Sequence, residues 1–235
     1  MHIPDGYLGP HTYVAAYAAV TPFWVIASRV VGRTLRLRQV PLLALGAAFS
    51  FVIMMFNIPL GPTSGHAVGA VLIAVLLGPW AAVIAVSVAL GVQALLFGDG
   101  GITALGANCL TMAVIMPFVG YGIYRLIAGR SAPTSWRRWF GAAAGGYVGL
   151  VAAAVGTGFM LGIQPILAHD AAGHALYQPF PLIVAVPAMA LEHLAVFGWV
   201  EAVVTGLVVA YLQKAEPALL GLSQNAAGRK GETAQ

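Results

Sequence analysis

Apolar residues run in seven blocks along this chain, and polar residues are largely confined to the joints between them. The blocks cover about residues 12–30, 41–58, 65–77, 79–97, 102–128, 139–163 and 182–212. A helix needs about 20 apolar residues to cross a bilayer core, so most blocks predict one spanning helix each. The second starts at Pro41, a residue suited to a first helical turn. The third and fourth are divided by a tight Gly78-Pro79-Trp80 turn. The third is short for a full span and is expected to be partly re-entrant. The seventh exceeds a bilayer core at 1.5 Å per residue and is expected to tilt or protrude. No internal repeat is evident.

Composition turns this pattern into a statement about solvent. Apolar types make up 60% of the 235 residues and charged types 8%, against about 25% charged in a soluble domain. The mean hydropathy is +0.89. Such a surface requires lipid, so the fold class is an all-α membrane protein, a bundle of seven transmembrane helices. A single cysteine, Cys109, excludes an intrachain disulfide framework and a thiolate cluster. The net charge of +4 does not mark a nucleic-acid surface, because the basic residues form short clusters without aromatic interleaving.

Those clusters report topology instead. Arg29, Arg33, Arg36 and Arg38 follow the first block, Arg125, Arg130, Arg137 and Arg138 the fifth, and Lys214, Arg229 and Lys230 the seventh. The positive-inside rule places all three in the cytoplasm. Counting blocks from each gives one answer: N-terminus outside, C-terminus inside. Asp5, Asp99, Asp170, His169 and His174 then fall on the outer face. No signal-peptide pattern opens the chain, so the mature chain is expected to begin at Met1. Residues 213–235 read as a polar, disordered cytoplasmic tail. Gly141, Gly145 and Gly149 recur every four residues and predict close helix packing, within the chain or against a partner.

The chemistry gathers on the outer side. Met1-His2-Ile3-Pro4-Asp5-Gly6 places a histidine directly after an amino terminus. The α-amine of Met1, the amide nitrogen of His2 and its imidazole Nδ1 can close five- and six-membered chelate rings on one metal; an ordinary solvated histidine is the alternative. His66 opens the third block within Asn57–Gly69, a stretch rich in Gly and Pro, with Ser64 and Gly65 beside it. A histidine at the start of a membrane helix is costly without a partner, and its imidazole would complete a four-nitrogen set. Such donors suit Ni, Co, Cu and Zn, and a planar set favours Ni(II) or Cu(II). Glu192, His193 and Glu201 lie together in the seventh block, where a hydrogen-bond network or a transit role would explain them. Gln93, Asp99, Thr103 and Asn108 bracket Gly100-Gly101 in what reads as a broken helix packed against protein, suggesting supporting or gating roles. His169, Asp170 and His174 fit a solvated loop or metal pre-capture, and His11 an interface. No phosphate-binding glycine loop, zinc-protease motif or nucleophile elbow is present.

On these residues the sequence resembles the CbiM/NikM family, the cobalt- and nickel-specific substrate-capture (S) components of energy-coupling factor (ECF) transporters. The likeness covers about residues 1–212. It rests on Met1–Gly6, the Gly65-His66 loop, Gly100-Gly101 through Asn108, and His193 through Gly198, Glu201 and Ala202 to Thr205. Thr111 and Met116 stand where the family more usually has Asn and Gly. The resemblance implies a seven-helix metal-capture domain over residues 1–212, with residues 1–11 as an extracellular metal-binding segment folded into the bundle. It implies metal held by Met1, His2 and His66, leaving Asn108, Gln93, Ser64, His193 and Glu192 as supporting candidates. It implies no catalysis and no resident cofactor, only Co2+ or Ni2+ as cargo. The implied location is the bacterial inner membrane. Implied partners are a CbiQ/NikQ-like coupling subunit, CbiO/NikO-like ATPases and a small CbiN-like membrane protein, with no such accessory segment expected within this chain. The donor set leans to nickel, and the stand-alone form and look of the sequence to cobalt for cobalamin synthesis; cobalt is the expectation. A stand-alone secondary transporter and a membrane enzyme built on Glu192, His193 and Glu201 are the rivals.

Overall fold

The computed structural model describes residues 1–60, 63–217 and 219–220. Nearly all of it is helix. Helix α1 is Pro10–Thr34, α2 Val40–Met54, α3 Ala70–Leu77, α4 Pro79–Phe97, α5 Leu105–Ala128, α6 Trp136–Gly162 and α7 Leu182–Ala215. Six of these are long and apolar enough to cross a membrane; α3 is not. Prolines lie in the first turns of α1, α2 and α4, where their missing N–H would have no helical partner anyway. The expected tail from residue 213 is helical as far as Ala215, and most of the rest lies outside the described residues.

The third block departs from a plain span. It begins as a hairpin, Ile58–Leu60 (β1) against Thr63–Gly65 (β2), antiparallel with Ile58 opposite Gly65. Residues 66–69 then run without regular structure to Gly69, whose φ of 74° is left-handed and suits glycine. Only eight residues of helix follow, about 12 Å at 1.5 Å per residue. This irregular backbone is tolerated because residues 65–76 are buried in protein. The carboxylate of Glu201, from α7, accepts hydrogen bonds from Val68 N at 2.8 Å and Gly69 N at 3.0 Å. That satisfies donors at the start of α3 and fixes its position.

Helix α3 forms the centre of the bundle, with α4, α5, α6 and α7 packed against it. Gly120 of α5 meets Gly145 of α6 so closely that a methyl on either would strike the other's carbonyl oxygen. The glycine repeat of α6 is therefore an intramolecular contact. Outward-facing residues such as Leu96, Ile183, Leu126 and Leu207 remain exposed, as lipid-facing positions should.

Three helices each contain a π-helical stretch: Gln93–Phe97 in α4, Cys109–Ile115 in α5 and His193–Phe197 in α7. Each starts at, or one residue after, a polar residue singled out in the sequence. Such wide turns recur at functional sites because they re-aim side chains that a regular helix would point elsewhere. All three surround the place where the chain begins.

Candidate metal centre

The first nine residues fold back into the bundle. Ile3 is fully buried, and its backbone is held like a strand. Its N–H donates to Asn108 Oδ1 at 2.9 Å, and its carbonyl accepts from Asn108 Nδ2 at 3.1 Å and from Gly101 N at 2.9 Å. Two residues on, Asp5 accepts from Ile102 N at 3.1 Å, from Thr103 N at 2.8 Å and from the Thr103 hydroxyl. These bonds hold the Asp5 carboxyl below its usual range. Gln164 accepts from Gly9 N at 2.9 Å. The loop over residues 101–103, helix α5 and Gln164 just past α6 thus fasten the segment and deliver Met1 to the bundle centre.

There the amine of Met1 donates to the carbonyl oxygen of Ser64 in β2. The His2 imidazole stacks on that of His66, with ring centroids 4.6 Å apart and planes 23° from parallel. His66 sits one residue past β2 because Glu201 anchors the following turn. Its Nδ1 faces the Ala67 carbonyl oxygen at 3.0 Å. With the proton on Nδ1, that contact is a hydrogen bond and leaves Nε2 as the lone-pair nitrogen, the usual way a protein orients a metal-binding imidazole.

Burial sets the protonation of these groups. It drives the Met1 amine down from 8.0 to about 5, against the raising effect of Glu192 and then Asp99. It drives His2 from 6.5 to about 3, helped by the neighbouring amine. His66 is pushed down in the same direction, mainly by burial and then by the amine and His2. Near neutral pH all three nitrogens therefore carry free lone pairs. Among the described residues, both ring nitrogens of His2 and the Nε2 of His66 are buried without a hydrogen-bond partner. Orphaned buried polar atoms cost about 1–3 kcal/mol each, and a bound ion is a standard reason to keep them. No cluster of three His, Cys, Asp or Glu side chains fit to hold a metal occurs among the described residues. The nitrogens that converge here are instead those of two imidazoles and the terminal amine.

The other predicted residues surround this core in different ways. Gln93 touches His2, and its Oε1 has no partner among the described residues. Ser64 contributes its main-chain carbonyl rather than its hydroxyl. Glu192 is buried against Gly65, with neither oxygen hydrogen-bonded among the described residues. His193 Nδ1 faces Met189 O at 2.8 Å, and its Nε2 is likewise without a partner. Glu201 separates from this pair: it is committed to the start of α3 and to Thr205, whose hydroxyl donates to it at 3.3 Å. His174 and Asp170 close an exposed turn of their own, His174 N donating to Asp170 Oδ1 at 2.8 Å. Sequence reasoning missed Gln164, whose signal was one amide in the apolar run Leu161–Leu167, and the fastening role of Asp5. A cavity of about 340 Å³ runs from exposed Tyr7 and Phe180 to buried Met1 and Thr157.

A family model described as cobalt uptake substrate-specific transmembrane region matches residues 2–219. The fused nickel transport protein NikMN of Rhodobacter capsulatus is 55% identical over 94% of this chain, which spans 64% of that protein. The probable fused nickel transport protein LarMN of Lactiplantibacillus plantarum is 48% identical over 92% of the chain, which spans 66% of it. A putative metal transport protein of Methanocaldococcus jannaschii is 45% identical over 93% of this chain and 94% of its own length. A crystal structure of a transition metal transporter superposes with a TM-score of 0.87 at 54% identity, covering 92% of this chain and 93% of that one. A truncated form, also with a TM-score of 0.87, is 53% identical over 92% of this chain and 99% of that one.

Proposed function

This chain belongs to the CbiM family, and from that premise we propose that it captures a divalent transition-metal ion for uptake across the membrane. The ion is bound by the Met1 amine, the His2 amide and Nδ1, and His66 Nε2. The observation that supports this most directly is the convergence of a neutral terminal amine with His2 and with His66 Nε2, whose ring nitrogens have no hydrogen-bond partner among the described residues, in a buried pocket. The buried amine donates to Ser64 O, and its neutral form keeps a lone pair for a metal. The two imidazoles and two main-chain nitrogens favour an ion that accepts a planar nitrogen field.

The metal we favour is nickel. Sequence alone leans to cobalt, but the donor chemistry and the names of the relatives at 55% and 48% identity both point to Ni(II). Cobalt is the alternative, carried by relatives named cobalt transport protein CbiM at 37–40% identity over shorter stretches. The sequence carries no phosphate-binding glycine loop, and in this reading the chain acts as the substrate-capture component of an ECF-type importer. A coupling subunit, ATPases and a small accessory membrane protein supply the drive. The N-terminus faces outside. A membrane enzyme using Glu192, His193 and Glu201 is disfavoured because Glu201 is occupied in capping α3.

The test is an N-terminal extension. Adding one glycine before Met1 converts the amine donor into an amide and forces the new amine into a packed pocket. Calorimetry should then find no high-affinity Ni(II) or Co(II) binding, while the unextended protein binds. Equal affinities would remove the chelate and this reading with it.

A further inference from the structure

Given the metal-capture reading above, we infer that Asp99 is the first contact of the incoming cation and the gate it must displace to reach His2. Asp99 Oδ1 lies 3.3 Å from His2 Nδ1. That is the nitrogen needed to close the chelate with the Met1 and His2 main-chain donors. The approach is off the hydrogen-bond line, since Nδ1 has no hydrogen-bond partner among the described residues. The carboxylate therefore stands beside the donor without consuming its lone pair.

Exposure makes Asp99 the boundary. Its side chain is 28% exposed and that of His2 only 4%. Met1 is 2% exposed and His66 0%. An ion arriving from solvent on this side meets the carboxylate before any nitrogen. The loop is built to hold it there: Gly98 and Gly100, at φ of 65° and 79°, both adopt the left-handed conformation on either side of Asp99. Asp99 N also donates to Gln93 O at 3.2 Å.

The other approach to the site is the cavity between the N-terminal segment, α6 and α7. Among the described residues no carboxylate lines it, and its walls are mostly aliphatic, aromatic and thioether groups. A hydrated divalent ion meets only neutral polar groups there, such as Thr157 and Gln178, whereas a partly exposed carboxylate attracts it through solvent. Charge therefore selects the Asp99 side. Once nitrogen donors replace the water shell, the carboxylate swings aside, so its contribution is to the rate of capture and not to the final ligand set.

The experiment is stopped-flow mixing of the full chain in lipid nanodiscs with Ni(II), a fluorescent nickel chelator reporting free ion. In Asp99→Asn the second-order capture constant should fall about tenfold, within the range of electrostatic steering, and lose most of its ionic-strength dependence. The dissociation rate and the absorption band of the nickel complex should match those of the parent protein. Asp99→Glu, which keeps the charge, should restore capture to within about threefold. An unchanged capture constant in Asp99→Asn overturns the gate, as does a shifted band, which would make Asp99 a ligand. A His66→Ala chain that keeps the parent's nickel band overturns the chelate, and the gate with it.

Discussion

Removing the Asn108 side chain isolates what seats the N-terminal segment. Asn108→Ala deletes the bonds to Ile3 N at 2.9 Å and Ile3 O at 3.1 Å. The Ile3 carbonyl keeps Gly101 N, but the Ile3 N–H is left buried without an acceptor. One net hydrogen bond is worth about 1 kcal/mol and an orphaned buried donor costs about 1–3 kcal/mol. The combined loss is roughly 2–4 kcal/mol, or about 30- to 1000-fold in the seating equilibrium at 1.4 kcal/mol per decade. Amide hydrogen exchange at His2 and Ile3 reads that equilibrium directly, and protection there should fall by this factor. Ni(II) affinity falls in proportion to the seated fraction, and so by a smaller factor than the exchange protection. Helices α5 and α6 should keep their protection, because Asn108 bonds outward to the segment. Asn108→Asp should be at least as damaging, since it turns an oxygen toward the Ile3 carbonyl. Unchanged exchange at Ile3, with nickel affinity within about threefold of the parent, would refute the clamp.

Gly101→Ala should weaken metal binding strongly while leaving the fold intact, because its new methyl would run into the Asp5 carboxyl and backbone nitrogen; circular dichroism and nickel titration separate the two effects. Glu201→Ala removes the carboxylate holding Val68 N and Gly69 N. A charged hydrogen bond contributes about 1.5–3 kcal/mol, so thermal stability should drop and His66 should lose its position, with metal affinity restored in part by Glu201→Gln. The pH profile follows from the depressed amine. In the seated chain the amine is unprotonated above about pH 5, so from pH 8 down to pH 5 only the His2 amide proton competes with metal. Affinity should fall about tenfold per pH unit there and about a hundredfold per unit below it. A two-proton slope beginning near pH 8, the value of a free amine, would mean that the terminus is not seated.

Lipid-spanning helices were legible because the spacing of charge along the chain is an imprint of the bilayer itself. The shortness of the third block likewise set it apart from a full span, and its helix is only eight residues long. What local pattern did not contain was the hairpin and the extended run through His66. Those depend on Glu201, more than 130 positions away, whose carboxylate accepts hydrogen bonds from two backbone N–H groups. The same limit explains why Glu192, His193 and Glu201 read as one cluster: they are neighbours in sequence, but the π turn at His193–Phe197 re-aims the helix between them. Met1, His2 and His66 stand out in the sequence as candidate nitrogen donors, by chemistry and by family resemblance, and the structure brings them together. Asn108 was visible as a polar residue out of place, although its partner, the Ile3 backbone, leaves no trace in residue type. Gln164 was hidden for the reverse reason: one amide among aliphatics carries too little pattern to suggest that it holds the start of α1.

The central claim is that the chain's own first amine binds the transported ion together with two imidazoles. X-ray absorption on the nickel-loaded protein with an unextended N-terminus examines that most directly. The expected spectrum is that of a four-coordinate, planar, all-nitrogen environment with the imidazole scattering of two histidines. A six-coordinate spectrum dominated by oxygen, or one with a single imidazole, would contradict it.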